Sequence, residues 1–322
     1  VFAEQNADFV ALAHHRDDQI ETFFLAALRG GGLRALSAMP RQRALTEKTV
    51  LWRPFLAFSR AEIEQYARDN ALVFVHDDSN ENPAFLRNWL RGRWLPDLAA
   101  RLPHYAEHLH SSIALLQEER ALLEEVAAQD WQAVRCAQGL NQARWQAFSP
   151  ARQRQLLHTF ARQYGMGAPT AGSLHLWADW LRQAERGEWR LPRGRAVLSH
   201  GVLFAVPQDF ALSWPWAAQP VQGSLHLAAQ QAGLAWQGSA PQGAGCFRAA
   251  RRDDELPTNI GRKNVFRLLQ EKRVPAFVRP FWAVACDENG RCIAVANLRS
   301  APELGQVRLI APDLLPYLPQ AA

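Results

Sequence analysis

Residues 9 to 30 read Phe-Val-Ala-Leu-Ala-His-His-Arg-Asp-Asp-Gln-Ile-Glu-Thr-Phe-Phe-Leu-Ala-Ala-Leu-Arg-Gly, and this stretch decides the fold. Phe9 to Ala13 is a short apolar run with the length and flanks of a buried parallel strand. It ends in His14 and His15. Asp17 is placed to cap a helix, and acids in a first turn suit the positive end of the helix dipole. Phe23, Phe24, Ala27 and Leu28 give that helix an apolar face, and Gly30-Gly31-Gly32 ends it. The polar cluster therefore sits where a strand hands over to a helix. In open α/β sheets that edge, beyond the carboxyl ends of the strands, is where ligands bind.

The cluster alone supports two readings. His14, His15, Asp17, Asp18 and Glu21 are residue types that ligate divalent ions. The same residues also make an ordinary strand end and helix cap. A second segment separates the readings. Arg53-Pro54-Phe55-Leu56 is followed by Ser59-Arg60-Ala61-Glu62, then by Asp77-Asp78-Ser79-Asn80, and then by Arg87-Asn88-Trp89-Leu90-Arg91 and Leu95-Pro96.

Taken in order, these motifs resemble the tRNA(Ile)-lysidine synthetases, which belong to the PP-loop ATPases (N-type ATP pyrophosphatases). The family pattern reads roughly HHxDDQxET, LLRGxGxxGL, RPLL, a DxSN segment, RNxxR and a leucine-proline pair. The match covers about the first hundred residues. Further on, Leu191-Pro192-Arg193-Gly194 is similar to the middle domain of the family. Gly261-Arg262-Lys263 and Val274 to Pro280 are similar to its C-terminal domain.

The resemblance implies ligation of lysine to C2 of the wobble cytidine of tRNA(Ile) with a CAU anticodon. ATP first adenylylates the cytidine, and the ε-amino group of lysine then displaces AMP. The implied partners are that tRNA, free L-lysine and ATP with Mg²⁺; a homodimer is left open, and no tightly bound cofactor is implied. Arg29, Arg87 and Arg91 are the expected catalytic clamp on the phosphates, since a planar guanidinium suits phosphate. Arg29 also has the plainer reading of a helix C-cap. Asp78, with Asp77 and Asn80 beside it, is the expected pocket for the lysine ammonium, although Asp-Ser-Asn also favours a plain turn. His14, His15, Asp17, Asp18 and Glu21 are expected to shape the nucleotide and cytidine site, with Asp18 as the one candidate Mg²⁺ ligand. Zinc is the minority reading there.

The sequence also departs from the family. Its nucleotide-gripping signature, SGGxDS, is nowhere in these residues, and Gly30-Gly31-Gly32 follows a helix instead of opening one. The chain opens at Val1, almost directly into a strand. It therefore reads as a truncated chain lacking the first strands of the ATPase sheet, and it is expected to be inactive alone. Two alternatives stand beside the main reading: another PP-loop enzyme such as a tRNA thiolase, and a non-catalytic tRNA-binding fragment. Thiolases often carry paired cysteines, and the scatter of Cys136, Cys246, Cys286 and Cys292 argues against that reading.

Composition agrees with a cytoplasmic globular protein. The chain has 322 residues, 48% hydrophobic and 21% charged, enough for two or three domains. No run approaches the ~18 apolar residues of a membrane helix, and four cysteines without a C-x-x-C pair fit reduced thiols. The net charge is +5, and residues 246 to 279 hold nine basic against four acidic side chains, a surplus equal to that of the whole chain. Arg248, Arg251, Arg252, Arg262, Lys263, Lys272 and Arg273 are the expected tRNA contacts. A solvated helix face with i,i+4 pairs such as Arg267–Glu271 is the competing reading.

The expected fold class is an α/β, partial Rossmann-like ATPase domain over residues 1–100, a mainly helical middle domain over 101–215, and a small α+β domain over 216–322. Ser59 with Glu62 forms a capping box, and a helix carries Phe85 to Leu95. A long helix runs from His104 to about Cys136, and two more span Pro150–Tyr164 and Ala171–Glu185. Trp177 and Trp180 read as packing residues. Pro207 to Gly223 reads as a linker. Leu225 to Ala228 reads as a strand, as do Phe281–Cys286, Cys292–Ala296 and Val307–Ile310, with one helix at Arg262–Glu271.

Overall fold

The computed structural model describes residues 7–46, 48–73 and 86–319, and the chain divides into two compact units, Val1–Val126 and Ala127–Ala322. The first unit opens with β1 (Phe9–Ala11), α1 (Arg16–Leu28), α2 (Leu33–Leu36), β2 (Gln42–Ala44) and β3 (Val50–Trp52). β1 pairs parallel with β3, and β2 pairs antiparallel with β3, giving the order β1-β3-β2. The strand-to-helix handover and the parallel pairing agree with the sequence reading. The burial does not: Phe9 is 60% exposed, because β1 has one strand neighbour among the described residues.

The cap of α1 is also a correction. The helix starts at Arg16, so His15 stands at the N-cap in place of Asp17. Asp18 Oδ2 accepts the His15 backbone N–H at 2.9 Å, which is the reciprocal half of a capping box. Gly30, at φ +70°, ends the helix; a Cβ on Gly31 would lie 2.8 Å from both the Ala26 carbonyl oxygen and the Ala35 Cβ, so only glycine lets α1 and α2 approach there. α3 (Arg60–Asp69) carries the expected box: Ser59 Oγ accepts from the Glu62 N–H at 3.2 Å, and Glu62 Oε2 accepts from the Ser59 N–H at 2.6 Å.

α4 (Leu86–Trp89) passes into a π-helical stretch, Leu90–Trp94, and then into α5 (Leu95–Arg101). The predicted helix is present but locally underwound, which re-aims the side chains that follow. α6 (Tyr105–Val134) is 30 residues long, roughly 45 Å.

The second unit continues with β4 (Arg135–Cys136), β5 (Gly139–Asn141), α7 (Gln142–Gln146), α8 (Pro150–Gln163), α9 (Ala171–Leu181), β6 (Gly187–Leu191), β7 (Gly194–Ser199) and β8 (Val202–Pro207). These strands form a sheet of order β4-β5-β8-β7-β6. α10 (Pro215–Ala218), β9 (Val221–Ser224), α11 (Leu225–Gln231), β10 (Ala235–Gln237), β11 (Ala244–Ala249), β12 (Glu255–Thr258), β13 (Gly261–Asn264), α12 (Val265–Glu271), β14 (Ala283–Asp287), β15 (Cys292–Val295), β16 (Arg299–Ser300) and β17 (Arg308–Ile310) complete it. A second five-stranded sheet runs β16-β15-β14-β11-β9.

Successive side chains of a strand face opposite ways, and β8 uses this to serve two cores. Leu203 and Ala205 pack with Trp145, Leu156, Phe160 and Trp189. Phe204 and Val206 pack with Phe247, Leu269, Trp282 and Tyr317. Trp177 and Trp180 pack against the first core as expected.

Two local expectations fail. Residues 207–223 are no linker: Phe210, Trp214 and Trp216 are buried in the second core, and the Trp216 indole N–H donates to the Phe281 carbonyl at 2.9 Å. Bulky aromatics outweigh the turn-forming residues around them. Leu225–Ala228 is helical, because Ser224 accepts the Leu227 N–H as an N-cap, and Leu225, Ala228, Ala229 and Ala232 recur at helical spacing on the buried side.

Candidate active site

Residues three apart on a helix share a face, so the first turns of α1 present Asp18 and Glu21 together. Both are buried, at 7% and 1% exposure. Two buried carboxylates need compensation, and Arg87 and Arg91, four apart on α4 and the π-helical stretch that follows it, supply it. Arg87 Nε donates to Glu21 Oε2 at 2.7 Å and Arg91 Nε to Glu21 Oε1 at 2.6 Å. Arg91 Nη2 also donates to Glu21 Oε2 at 3.1 Å and to Asp18 Oδ1 at 3.0 Å, and Arg87 Nη2 reaches Asp18 Oδ1 at 3.2 Å.

The result is a quartet of two anions and two cations. The hydrogen bond to Glu21 raises the pKa of Arg91; burial opposes this, and the charges of Glu21, Asp18 and Asp17 reinforce it. Glu21 is thus a fixed counter-anion that aims two guanidinium planes. Neither Arg87 nor Arg91 has a partner for its Nη1 among the described residues, and both side chains keep access to solvent, at 40% and 29% exposure.

The neighbouring motif residues divide by role. Asp17 Oδ2 accepts the Arg60 backbone N–H at 2.8 Å, so it holds the start of α3, where a helix dipole favours an anion. Gln19 exchanges two hydrogen bonds of 2.7 Å with the backbone of Met39, and Thr22 Oγ1 donates to the Asp18 carbonyl. These are scaffold contacts. His15 lies with its ring nitrogens 3.6 Å from Asp17 Oδ2 and 3.5 Å from Asp18 Oδ2. His14 Nδ1 is buried without a hydrogen-bond partner among the described residues. Burial lowers the His14 pKa; Asp18 opposes this, while Arg53, Arg87 and His15 add to it. A neutral imidazole with an orphaned nitrogen is a group ready to meet a ligand.

Arg29 is exposed and sits at the opposite end of α1 from Asp18, roughly 16 Å along the axis. The structure does not bring it to the quartet. Asp77, Asp78 and Asn80 lie outside the described residues. Tyr105 belongs to this neighbourhood without any sequence signal: burial raises its pKa, with Asp17 and Glu21 adding to the effect. It comes from α6, far along the chain, so no spacing could mark it.

Both carboxylate oxygens of Asp18 are engaged by protein donors in this arrangement. Oδ2 is taken by the His15 N–H and Oδ1 by the two arginines, and among the described residues no group of three His, Cys, Asp or Glu could hold a metal ion.

In the second unit the basic segment sorts by exposure. Arg248 is buried at 8%, and its two Nη atoms donate to Asp254 at 2.7 and 2.6 Å. It is an internal counter-ion and leaves the expected RNA face. Arg251, Arg252, Arg262, Lys272 and Arg273 are exposed. Lys263 is partly buried and donates to Glu271 Oε2 at 2.5 Å, while Arg262 reaches Glu255 only at 3.8 Å. Among the described residues no helix is long and apolar enough to cross a membrane.

Two family models match parts of the chain. Residues 1–98 match the model of a PP-loop domain, and residues 140–204 match that of a TilS substrate binding domain. The chain is 40% identical over 306 residues to a tRNA(Ile)-lysidine synthase of Neisseria gonorrhoeae, covering 92% of this chain and 68% of the relative. It is 36% identical over 318 residues to the enzyme of that name from Chromobacterium violaceum, covering 92% and 71%. For the one from Pseudomonas putida the identity is 36% over 316 residues, covering 90% and 70%.

Proposed function

We propose a working arrangement for a chain that, on these similarities, belongs to the tRNA(Ile)-lysidine synthase family. It is a ligase that forms lysidine on tRNA(Ile), and it uses ATP. In our reading, Arg87 and Arg91 form the phosphate clamp, Asp18 and Glu21 position them, and His14 faces the nucleotide or the cytidine. The observation that carries this is Glu21, 1% exposed and held by both guanidiniums.

The chemistry needs such a clamp. The C2 oxygen of the wobble cytidine attacks the α-phosphorus of ATP, and the bond to the bridging oxygen breaks. Pyrophosphate leaves with the electron pair. Guanidiniums already fixed in place stabilise the charge that grows on that leaving group, at no reorganisation cost during the step. In the second step the ε-amino nitrogen of lysine attacks C2. The C2–oxygen bond breaks, AMP leaves, and the amine loses a proton. Without Glu21 and Asp18 the two guanidiniums would repel each other and lose their aim.

The remaining roles are assigned as follows. Asp78, with Asp77 and Asn80, takes the ammonium of free lysine, since a cation entering a closed site needs a compensating anion. Arg251, Arg252, Arg262, Lys263, Lys272 and Arg273 hold the tRNA body, and the CAU anticodon presents the cytidine. Mg²⁺ is expected to arrive with ATP, and no ready ligand set among the described residues awaits it.

The test, run on a form of the protein that also carries the family's SGGxDS segment, separates the two half-reactions with radiolabelled ATP and radiolabelled lysine. Arg91→Lys keeps the charge and loses the planar fork, so adenylylation should fall roughly 100-fold or more, the scale of losing one preorganised donor. Asp78→Asn should raise the KM for lysine and leave adenylylation nearly intact. The reverse pattern, with Arg91→Lys affecting only lysine, would assign the quartet to the amino acid.

A further inference from the structure

The four cysteines are scattered in the sequence, yet the second unit gathers three of them. In the antiparallel pair β11–β14, Cys246 stands directly opposite Cys286. In the pair β14–β15, Cys286 stands opposite Cys292, next to a β-bulge. Opposed residues of an antiparallel pair have Cα atoms about 4.5 or 5.5 Å apart and side chains on one face. Both separations lie within the roughly 4.4–6.8 Å that a disulfide spans. All three are free thiols, Cys246 half-buried and Cys286 and Cys292 buried.

We propose that Cys246 and Cys286 are a reversible thiol–disulfide pair, a modification site that closes across β11 and β14 when the protein meets a small-molecule disulfide oxidant. Register supplies the alignment, and exposure supplies the order of events. Cys246 has access to solvent, so its thiolate attacks one sulfur of the oxidant. The oxidant's S–S bond breaks and one small thiolate leaves, giving a mixed disulfide on Cys246. Cys286 then loses its proton, attacks the Cys246 sulfur and expels the second small thiolate. Two cysteine thiols are oxidised by two electrons, and one disulfide is reduced to two thiols.

The surroundings fit these roles. Arg248, two residues beyond Cys246, shares its face of the strand. Burial pushes the Cys286 thiol up to about 12, and the Arg248 charge is the principal influence pulling it back. Cys286 is therefore a protected thiol at rest, with a guanidinium at hand for the transient thiolate. Cys292 donates to the Ala294 carbonyl at 3.7 Å, and burial raises its pKa still further, so it does not compete.

The experiment uses the full chain, reduced and then incubated with oxidised glutathione. Trypsin cuts after Arg248 and Arg291, which places each of the three cysteines in a different peptide. Mass spectrometry should find the Cys246 and Cys286 peptides joined, with two hydrogens lost, and dithiothreitol should reverse it. The closed loop of some forty residues should raise the melting temperature of the unit by roughly 5–15 °C. Cys246→Ser and Cys286→Ala should each abolish the joined peptide and the shift; Cys136→Ser should abolish neither. A stable glutathione adduct on Cys246 with no joined peptide would overturn the proposal. So would a Cys286–Cys292 link, or three thiols that remain free.

Discussion

Replacing Glu21 with Gln keeps the shape of the side chain and removes one charge from the centre of the quartet. In the wild type Glu21 is 1% exposed and accepts at 2.6, 2.7 and 3.1 Å from two guanidiniums. Removing one partner from a buried ion pair costs about 3–5 kcal/mol. Arg87 and Arg91 are 40% and 29% exposed, so part of their charge returns to water, and we set the loss at about 2–4 kcal/mol. Each 1.4 kcal/mol is a factor of ten. Amides of α1 should therefore exchange about 30- to 700-fold faster in the variant. Hydrogen exchange read by mass spectrometry on peptides covering residues 12–30 measures this. Adding Arg91→Met removes the excess cation, so the double variant should lose about 1–3 kcal/mol less than the sum of the single losses. Exchange within about threefold of wild type, or strictly additive losses, would refute the idea that Glu21 exists to hold the two arginines.

Three further outcomes follow from the same geometry. Burial lowers the His14 pKa below its ordinary 6.5, so below pH 6.5 the unfolded chain binds a proton that the folded one does not. Stability is then fully present above pH 6.5 and is lost as pH falls toward the folded value; melting curves from pH 7.5 to 5 should show His14→Gln with the shallower decline, and parallel declines would acquit His14. Replacing Arg251 and Arg252 with Ala should weaken tRNA binding and lower the slope of log K against log salt by about 0.7–0.9 per lost phosphate contact, whereas an unchanged slope marks a merely solvated face. Trp216→Ala should cost about 3–5 kcal/mol in denaturant titration, because the ring is 2% exposed; a loss under about 0.5 kcal/mol would restore residues 207–223 to linker status.

What the sequence made legible was local. The apolar run into His14-His15, the Ser59–Glu62 box and the apolar spacing of α6 each announce their structure within one or two turns. The candidate site was legible as a list of residues but not as an arrangement. Nothing in the spacing of Asp18 and Glu21 says that Arg87 and Arg91 come back to them, since that pairing depends on how α4 docks against α1. Arg248 shows the same limit from the other side. In sequence it belongs to a basic run, yet its place on a central strand puts Asp254 beside it and removes it from solvent. The cysteines were judged by chain separation, and strand register overrules separation. The stretch 207–223 was judged by its prolines and glutamines, while its tryptophans decide where it packs.

The most direct measurement is a calorimetric titration of ATP into the protein carrying the family's SGGxDS segment and into its Arg91→Met variant. The clamp predicts that the variant binds at least about 30-fold more weakly, corresponding to about 2 kcal/mol for a lost charge-assisted contact. It also predicts that Glu21→Gln, which leaves both guanidiniums present but less firmly aimed, weakens ATP binding by less than Arg91→Met does and lowers stability as well. Equal ATP affinity in wild type and Arg91→Met would contradict the account, because the quartet would then be scaffold and the phosphates would be held elsewhere.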